Sequence, residues 1–113
     1  MAAPRMRRVN EVLREVVGAA IVDDLSDPRI GFVTVTSVET SPDLRSAKVY
    51  VSVLGDEAAR EETLAGLRAS HGVLQSRIAA ETRMKRTPTL SFRYDETVEQ
   101  GMRITRLLEE EER

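Results

Sequence analysis

The chain has 113 residues, a formal net charge of −2 and no cysteine, which excludes disulfides and thiolate metal sites. Hydrophobic residues make up 41 % and charged residues 32 %, as is typical of a globular protein with one core. No apolar run approaches the roughly 18 residues that a membrane helix needs, and the N-terminus lacks the apolar segment of a secretory signal. We therefore expect a cytoplasmic protein without membrane contact, built as a single domain over residues 1–113, with residues 1–5 and 109–113 flexible.

The first half of the chain predicts one helix and two strands. Apolar residues recur every three or four positions from Met6 to Leu25, which is typical of an amphipathic helix. After a turn at residues 27–31, the β-branched run 32–38 predicts a strand. Apolar and polar residues then alternate over 47–53, which predicts a second strand with one buried face. The short connection between the two strands favours an antiparallel hairpin.

A long helical pattern follows, from about Asp56 to Arg86, with Asp56 as the candidate N-cap. Small residues interrupt it at a break that consists of Ser70, His71 and Gly72. Because pairs of small residues are among the few causes of helix kinks, we predict a bend at Gly72. The alternating run 89–95 predicts a third strand, and residues 98–108 predict a last short helix. The wet face of the sheet is expected to carry Thr34, Thr36, Lys48, Ser52, Ser91 and Arg93.

Basic residues are concentrated in two stretches, although the chain as a whole is slightly acidic. Three arginines lie at the start, at positions 5, 7 and 8, and a second group with only Glu81 opposing it follows the break. A helix elbow that leads into a basic arm suits the binding of a phosphate backbone. The same cations have a second explanation, because positive charge at the C-terminal end of a helix complements its dipole by about 0.3–1 kcal/mol each.

The sequence shows no arrangement of residues that is typical of catalysis. It has neither a GxxxxGK[ST] phosphate loop nor a GxGxxG fingerprint. His71 is the one histidine, so a usual zinc site is excluded, and its place on the apolar face of a helix indicates a structural residue of the elbow. Adjacent carboxylates such as Asp23 and Asp24 point apart on a helix. We therefore predict no catalytic residue, no metal site, no cofactor and no enzymatic activity.

The order helix–strand–strand–helix–elbow–helix–strand, with a small-x-Gly elbow, resembles a type II KH domain whose GxxG loop is replaced by a helical kink. The segments 27–31, 48–51, 88–95 and 101–104 extend this resemblance to bacterial ribosome-binding factor A, from about Arg7 to Leu108. Ser70 stands where that family usually has alanine, and serine is small enough to preserve the kink. The resemblance implies an α+β fold with a three-stranded sheet and its helices packed on one face.

The resemblance also implies a function. Members of the family are non-catalytic assembly factors that bind the free small (30S) ribosomal subunit and assist late maturation and 5′-end processing of 16S rRNA, with a link to growth in the cold. We expect a monomer that recognises RNA by shape and phosphate, because aromatic residues are scarce. The implied RNA-binding residues are Arg7, Arg8, Ser70, Gly72, Arg77, Arg83, Lys85 and Arg86.

Two other functions remain open from the residues alone. A protein-interaction module of the same fold, without direct RNA contact, would use the wet sheet face or the first helix, and the acidic pI of 5.5 favours it. A small hydrolase on a similar sheet would need a pocket that the sequence does not show. Binding to small-subunit rRNA at two salt concentrations separates the first of these from an RNA-binding factor.

Overall fold

The structure is a computed structural model that describes the backbone of residues 4–111 and the side chains of residues 5–97 and 103–111. Four helices and three strands follow one another in the order that the sequence predicts. Their bounds are α1 (Pro4–Asp24), β1 (Val33–Thr40), β2 (Ser46–Val53), α2 (Glu57–Ala69), α3 (His71–Glu81), β3 (Thr89–Tyr94) and α4 (Glu96–Glu111). Of the ends expected to be flexible, residues 4–5 belong to α1 and 109–111 to α4, whereas 1–3 and 112–113 lie outside the described residues.

The sheet has the strand order β1-β2-β3. β1 and β2 pair antiparallel, which confirms the predicted hairpin, and β3 runs parallel to β2. A bulge at Thr36 interrupts the β1–β2 pairing, because Val35 pairs with Val51 whereas Ser37 pairs with Tyr50. Thr36 is the extra residue of this bulge and is half-buried, and its hydroxyl donates to Asp95 Oδ2 at 2.6 Å. Strict alternation fails at this point, since a bulge inserts one extra residue into a strand.

Three helices cover one face of this sheet. α1 packs mainly on β1 and α3, and α2 packs on β3 and β2. Aliphatic side chains fill the space between the two layers, and the most deeply buried of them are Leu13, Val17, Val49, Val51, Leu67, Leu74 and Ile78. Burying an aliphatic side chain of this size stabilises a fold by about 1.5–3 kcal/mol. The observed architecture is thus the predicted α+β arrangement of a three-stranded sheet with helices on one face.

The long helix breaks at a single residue, Ser70. α2 ends at Ala69 and α3 begins at His71, while the N–H of Ser70 donates to the carbonyls of Gly66 and Leu67 at 3.1 Å each. The break therefore lies two residues before the bend predicted at Gly72. The residue after the break contacts the sheet, because His71 Nε2 accepts the N–H of Leu90 in β3 at 3.0 Å.

α3 ends at Glu81, so the prediction that the helix continues to Arg86 is wrong. Thr82 takes an extended conformation, and its hydroxyl donates to the carbonyl of Ile78 at 2.8 Å, which closes the last turn. Gln75 Nε2 then donates to the carbonyl of Pro88 at 3.0 Å and holds the returning chain beside α3. Residues 82–88 consequently form a loop between α3 and β3.

Candidate nucleic-acid interface

The 82–88 loop packs against the N-terminal half of α1. Thr82 and Met84 line a shallow cavity of about 250 Å³ together with five residues of that helix, namely Arg5, Arg8, Val9, Val12 and Leu13. Val9 and Met84 also pack on the edge of the core. The two basic stretches of the sequence are therefore neighbours in the fold. We call the exposed cations around this contact the basic surface, which consists of Arg5, Arg7, Arg8, Arg83, Lys85 and Arg86.

The six cations of the basic surface are exposed, and none of them forms an ion pair or a side-chain hydrogen bond with another described residue. Arg29 differs, because its guanidinium donates to both carboxylate oxygens of Asp27, at 3.1 and 2.7 Å. A cation without an internal partner can bind a phosphate without first breaking a pair. The 83–86 cations also lie beyond the last turn of α3, where the interaction with the helix dipole falls off. The dipole explanation of these residues is thereby weakened.

Arg77 has a different environment from the other predicted RNA-binding residues. Its Nε donates to Glu81 at 2.7 Å and its NH1 to Asp24 at 2.8 Å, and Asp23 lies 3.7 Å from NH2. The hydrogen bonds to Asp24 and then Glu81 raise the pKa of this guanidinium above its ordinary value. The prediction that only Glu81 opposes this group is wrong. Arg77 joins α3 to the end of α1, and its occupied donors do not favour a contact with phosphate.

The elbow at Ser70 lies beside the far end of the 82–88 loop. His71 accepts a hydrogen bond from the N–H of Leu90, and Gln75 donates one to the carbonyl of Pro88. The first turns of α3 therefore lie beside the segment that leads into β3. Ser70 is half-buried, and its hydroxyl does not cap α3. Gly72 is exposed, and a Cβ there would meet no heavy atom within 4 Å. The N-terminal end of a helix carries partial positive charge, so this open backbone can accept an anion.

Other kinds of site find less support in the part of the chain that the structure describes. Among the side chains that the structure describes, no three of His, Asp or Glu come close enough together to hold a metal ion. No helix among residues 4–111 has both the length and the apolar character that crossing a membrane requires. Among the described residues, the basic surface brings together six exposed cations from two distant stretches of the sequence.

Known proteins that are similar to this chain identify its family. The family model described as ribosome-binding factor A matches residues 5–108. The chain belongs to the ribosome-binding factor A family. A ribosome-binding factor A from Halothermothrix orenii is 46 % identical over 116 residues, which cover 99 % of this chain and 95 % of the relative. The type II KH-like α+β fold that the sequence resemblance implied is therefore confirmed.

One solved structure and one fitted homology model of the family are similar to this fold. The ribosome-binding factor A structure determined by NMR for the Thermotoga maritima protein has a TM-score of 0.74 and 34 % identity, and the match covers 82 % of this chain and 89 % of that one. The second is a homology model of the Thermus thermophilus factor, fitted into a cryo-electron microscopy map of its 30S complex. Its TM-score is 0.65 at 30 % identity, with coverage of 77 % and 91 %.

The sequence missed two features of this region. Arg5 was assigned to a flexible end, yet it belongs to α1 and lines the contact with Met84. The contact itself joins segments far apart in the chain, and no local pattern predicts it. The apolar character of Met84 between Arg83 and Lys85 was the one available signal, because an apolar residue inside a basic loop needs a surface to pack on.

Proposed function

We propose that this member of the ribosome-binding factor A family binds the free 30S subunit and contacts 16S rRNA through its basic surface and its elbow. The packing of the 82–88 loop on α1 supports this proposal most directly, since it gathers six unpaired cations from two distant segments. Phosphate contacts of this kind position a protein on RNA without reading its sequence. The 30S complex of the Thermus thermophilus relative supports the choice of partner.

The protein would act as a non-catalytic monomer in the cytoplasm, as a single domain that assists late maturation of the subunit and processing of the 16S rRNA 5′ end. A factor without catalytic groups can favour processing only by binding one arrangement of the RNA more tightly than its alternatives. Such a preference would matter most in the cold, where misfolded RNA helices persist longer. It would also explain dissociation, because a matured subunit no longer offers the preferred arrangement.

The acidic residues of the chain are compatible with this interface. Glu57, Glu61 and Glu62 lie in α2, and Glu109–Glu111 end the described part of α4. None of them lines the contact between α1 and the 82–88 loop. Charges separated by more than about 8 Å are largely screened at physiological salt, so a local basic surface can attract RNA although the net charge is −2.

Co-sedimentation with purified subunits tests this proposal with a matched pair of variants. Arg83→Ala/Lys85→Ala/Arg86→Ala removes two arginines and one lysine from the basic surface. The control Arg45→Ala/Lys48→Ala/Arg93→Ala removes the same charges from the hairpin and the wet sheet face, where all three side chains are exposed.

The proposal expects the first variant to lose binding to free 30S subunits by tenfold or more, as estimated from roughly 0.5–1 kcal/mol for each lost phosphate contact. The control should bind within about twofold of the unmodified chain. Binding to intact 70S ribosomes should be weak for all three proteins. If the control variant loses more binding to 30S subunits than the first variant, the docking surface is the sheet face. That result would favour the alternative function of a protein-interaction module.

A further inference from the structure

A second cavity, of about 510 Å³, lies at the other end of the sheet from the basic surface. The start of β1, the end of β2, the end of β3 and two residues of α4 line it. α1 is held near the opposite end, where the N–H of Thr40 donates to Asn10 Oδ1 at 2.9 Å. Because a strand of eight residues spans about 25 Å, the two regions can contact different parts of one large RNA.

The floor of this cavity is apolar and unusually exposed. Phe32 keeps 81 % and Leu54 75 % of its surface accessible. The two residues are neighbours, because the N–H of Leu54 donates to the carbonyl of Phe32 at 3.0 Å. A cluster of large exposed apolar side chains is uncommon in a monomeric protein unless it binds something. Phe32 is thus an exposed aromatic ring in a chain in which aromatic residues are scarce.

The walls of the same cavity are cationic. Arg60 lies over the ring of Tyr94, with its guanidinium carbon 4.1 Å from the ring centroid. Arg103 and Arg106 project from α4 and are exposed. Among the described residues that line the cavity, three are arginines and none carries a carboxylate. The region therefore attracts a ligand that combines negative charge with a flat apolar group.

One carboxylate, that of Asp95, connects the start of α4 to the sheet. Asp95 Oδ2 accepts the hydroxyl of Thr36 in the β1 bulge at 2.6 Å, and Oδ1 accepts the N–H of Thr97 at 3.0 Å. The N–H of Asp95 donates to the carbonyl of Val51 at 2.8 Å. Thr97 in the first turn of α4 is thereby tied through Asp95 to β1 and β2, and Arg103 and Arg106 further along α4 line the same cavity as Phe32.

We propose that this cavity binds one unpaired nucleotide of a single-stranded RNA segment. The base stacks on Phe32 beside Leu54, and the guanidinium groups of Arg103 and Arg106 bind the adjoining phosphate. The hydroxyls of Thr34 and Ser52, which also line the cavity, are placed to contact the sugar or the base edge. The volume falls in the range of small-molecule sites, and exposed aromatic rings with nearby arginines are the usual platform for unpaired bases. The inference rests on the proposed function only for the assumption that the partner is RNA.

The absence of tryptophan from the chain allows a direct spectroscopic test. Phe32→Trp places a single indole at an exposed position, so the fold is expected to tolerate it. We expect titration with a short oligouridylate to quench its emission to saturation. Adding Arg103→Gln/Arg106→Gln should weaken the apparent affinity about tenfold, whereas the control pair Arg45→Gln/Arg93→Gln should change it less than twofold. Phe32→Leu should weaken binding of a fluorescein-labelled oligouridylate about tenfold, the loss of one base–aromatic stack.

Three results would overturn the inference. The first is no quenching by the oligouridylate, and the second is an equal effect of the two arginine pairs. The third is equal quenching by a polyglutamate peptide, which would indicate an acidic protein segment as the occupant. A Phe32→Trp protein that also carries the Ala substitutions at 83, 85 and 86 separates the two proposals. In this protein the oligouridylate should still quench the emission, while binding to 30S subunits should be lost. If it is quenched but still binds 30S subunits normally, the proposed role of the basic surface is refuted and the nucleotide site is not.

Discussion

The two glycines of the broken helix make opposite predictions when each is replaced by alanine. Alanine is more favourable than glycine in a helix interior by about 1 kcal/mol. At Gly72 a Cβ would meet no heavy atom within 4 Å, so Gly72→Ala should gain most of that amount. At Gly66 a Cβ would lie 2.7 Å from Ile30 Cγ1 and 3.4 Å from Asp27 Cγ. Carbon atoms prefer separations of about 3.5–4.0 Å, so the turn at residues 27–31 must move.

The magnitude at Gly66 follows from two opposing terms. Overpacking a well-filled site costs about 1–3 kcal/mol, and the helix gain offsets about 1 kcal/mol of this. Gly66→Ala should therefore lower the free energy of unfolding by up to about 2 kcal/mol, while Gly72→Ala raises it. The two variants should thus differ by up to about 3 kcal/mol, which at about 4 °C per kcal/mol is a difference in Tm of up to roughly 12 °C.

Urea unfolding followed by circular dichroism at 222 nm measures both free energies, and equal m-values would show that the same transition is compared. If the Gly66→Ala protein is as stable as the Gly72→Ala protein, the close approach of α2 to the 27–31 turn is refuted. If the Gly72→Ala protein is less stable than the unmodified chain, the surface at the elbow is not open as described.

Three further predictions concern single contacts. His71→Leu leaves the N–H of Leu90 without its acceptor, so urea unfolding should show a loss of about 1–3 kcal/mol, and a loss below 0.5 kcal/mol would contradict it. Hydrogen bonds from Thr36 and then Thr97 lower the pKa of Asp95 below its ordinary value of 3.8. The charged form therefore stabilises the fold above that value, and this contribution is lost as the pH falls through the lowered pKa. Asp95→Asn should flatten the fall of unfolding free energy below about pH 4 in urea titrations, and an unchanged slope would exclude the contact. Arg77→Gln should leave co-sedimentation with 30S subunits within twofold, because its donors are already occupied, and a tenfold loss would restore Arg77 to the interface.

The sequence predicted those parts of the fold that a local period determines. The alternation at 47–53 identified β2, and the three- and four-residue spacing identified α1, because each pattern depends only on which face is buried. The bulge at Thr36 was missed, since it depends on pairing with Tyr50 and on the hydrogen bond to Asp95. No pattern within β1 contains that information.

The end of α3 and the partners of Arg77 were missed for a similar reason. Thr87 and Pro88 gave a visible stop signal, whereas the earlier stop at Thr82 depends on how its hydroxyl caps Ile78. Asp24, which binds Arg77, lies in another helix that is distant in sequence. The elbow was located to within two residues because small side chains mark it, whereas the hydrogen bond between His71 and Leu90 of β3 beside it was not predictable from the sequence. The type and approximate place of each element were therefore predictable from the sequence, whereas the contacts between residues distant in the chain were not.

The salt dependence of binding to free 30S subunits tests the central claim most directly. Each phosphate contact contributes about 0.7–0.9 to the slope of log K against log salt concentration. If the basic surface binds the rRNA backbone, Arg83→Ala/Lys85→Ala/Arg86→Ala should reduce that slope by about 2, whereas Arg45→Ala/Lys48→Ala/Arg93→Ala should leave it unchanged. Parallel lines for the unmodified chain and the first variant would show that these cations do not contact phosphate in the complex.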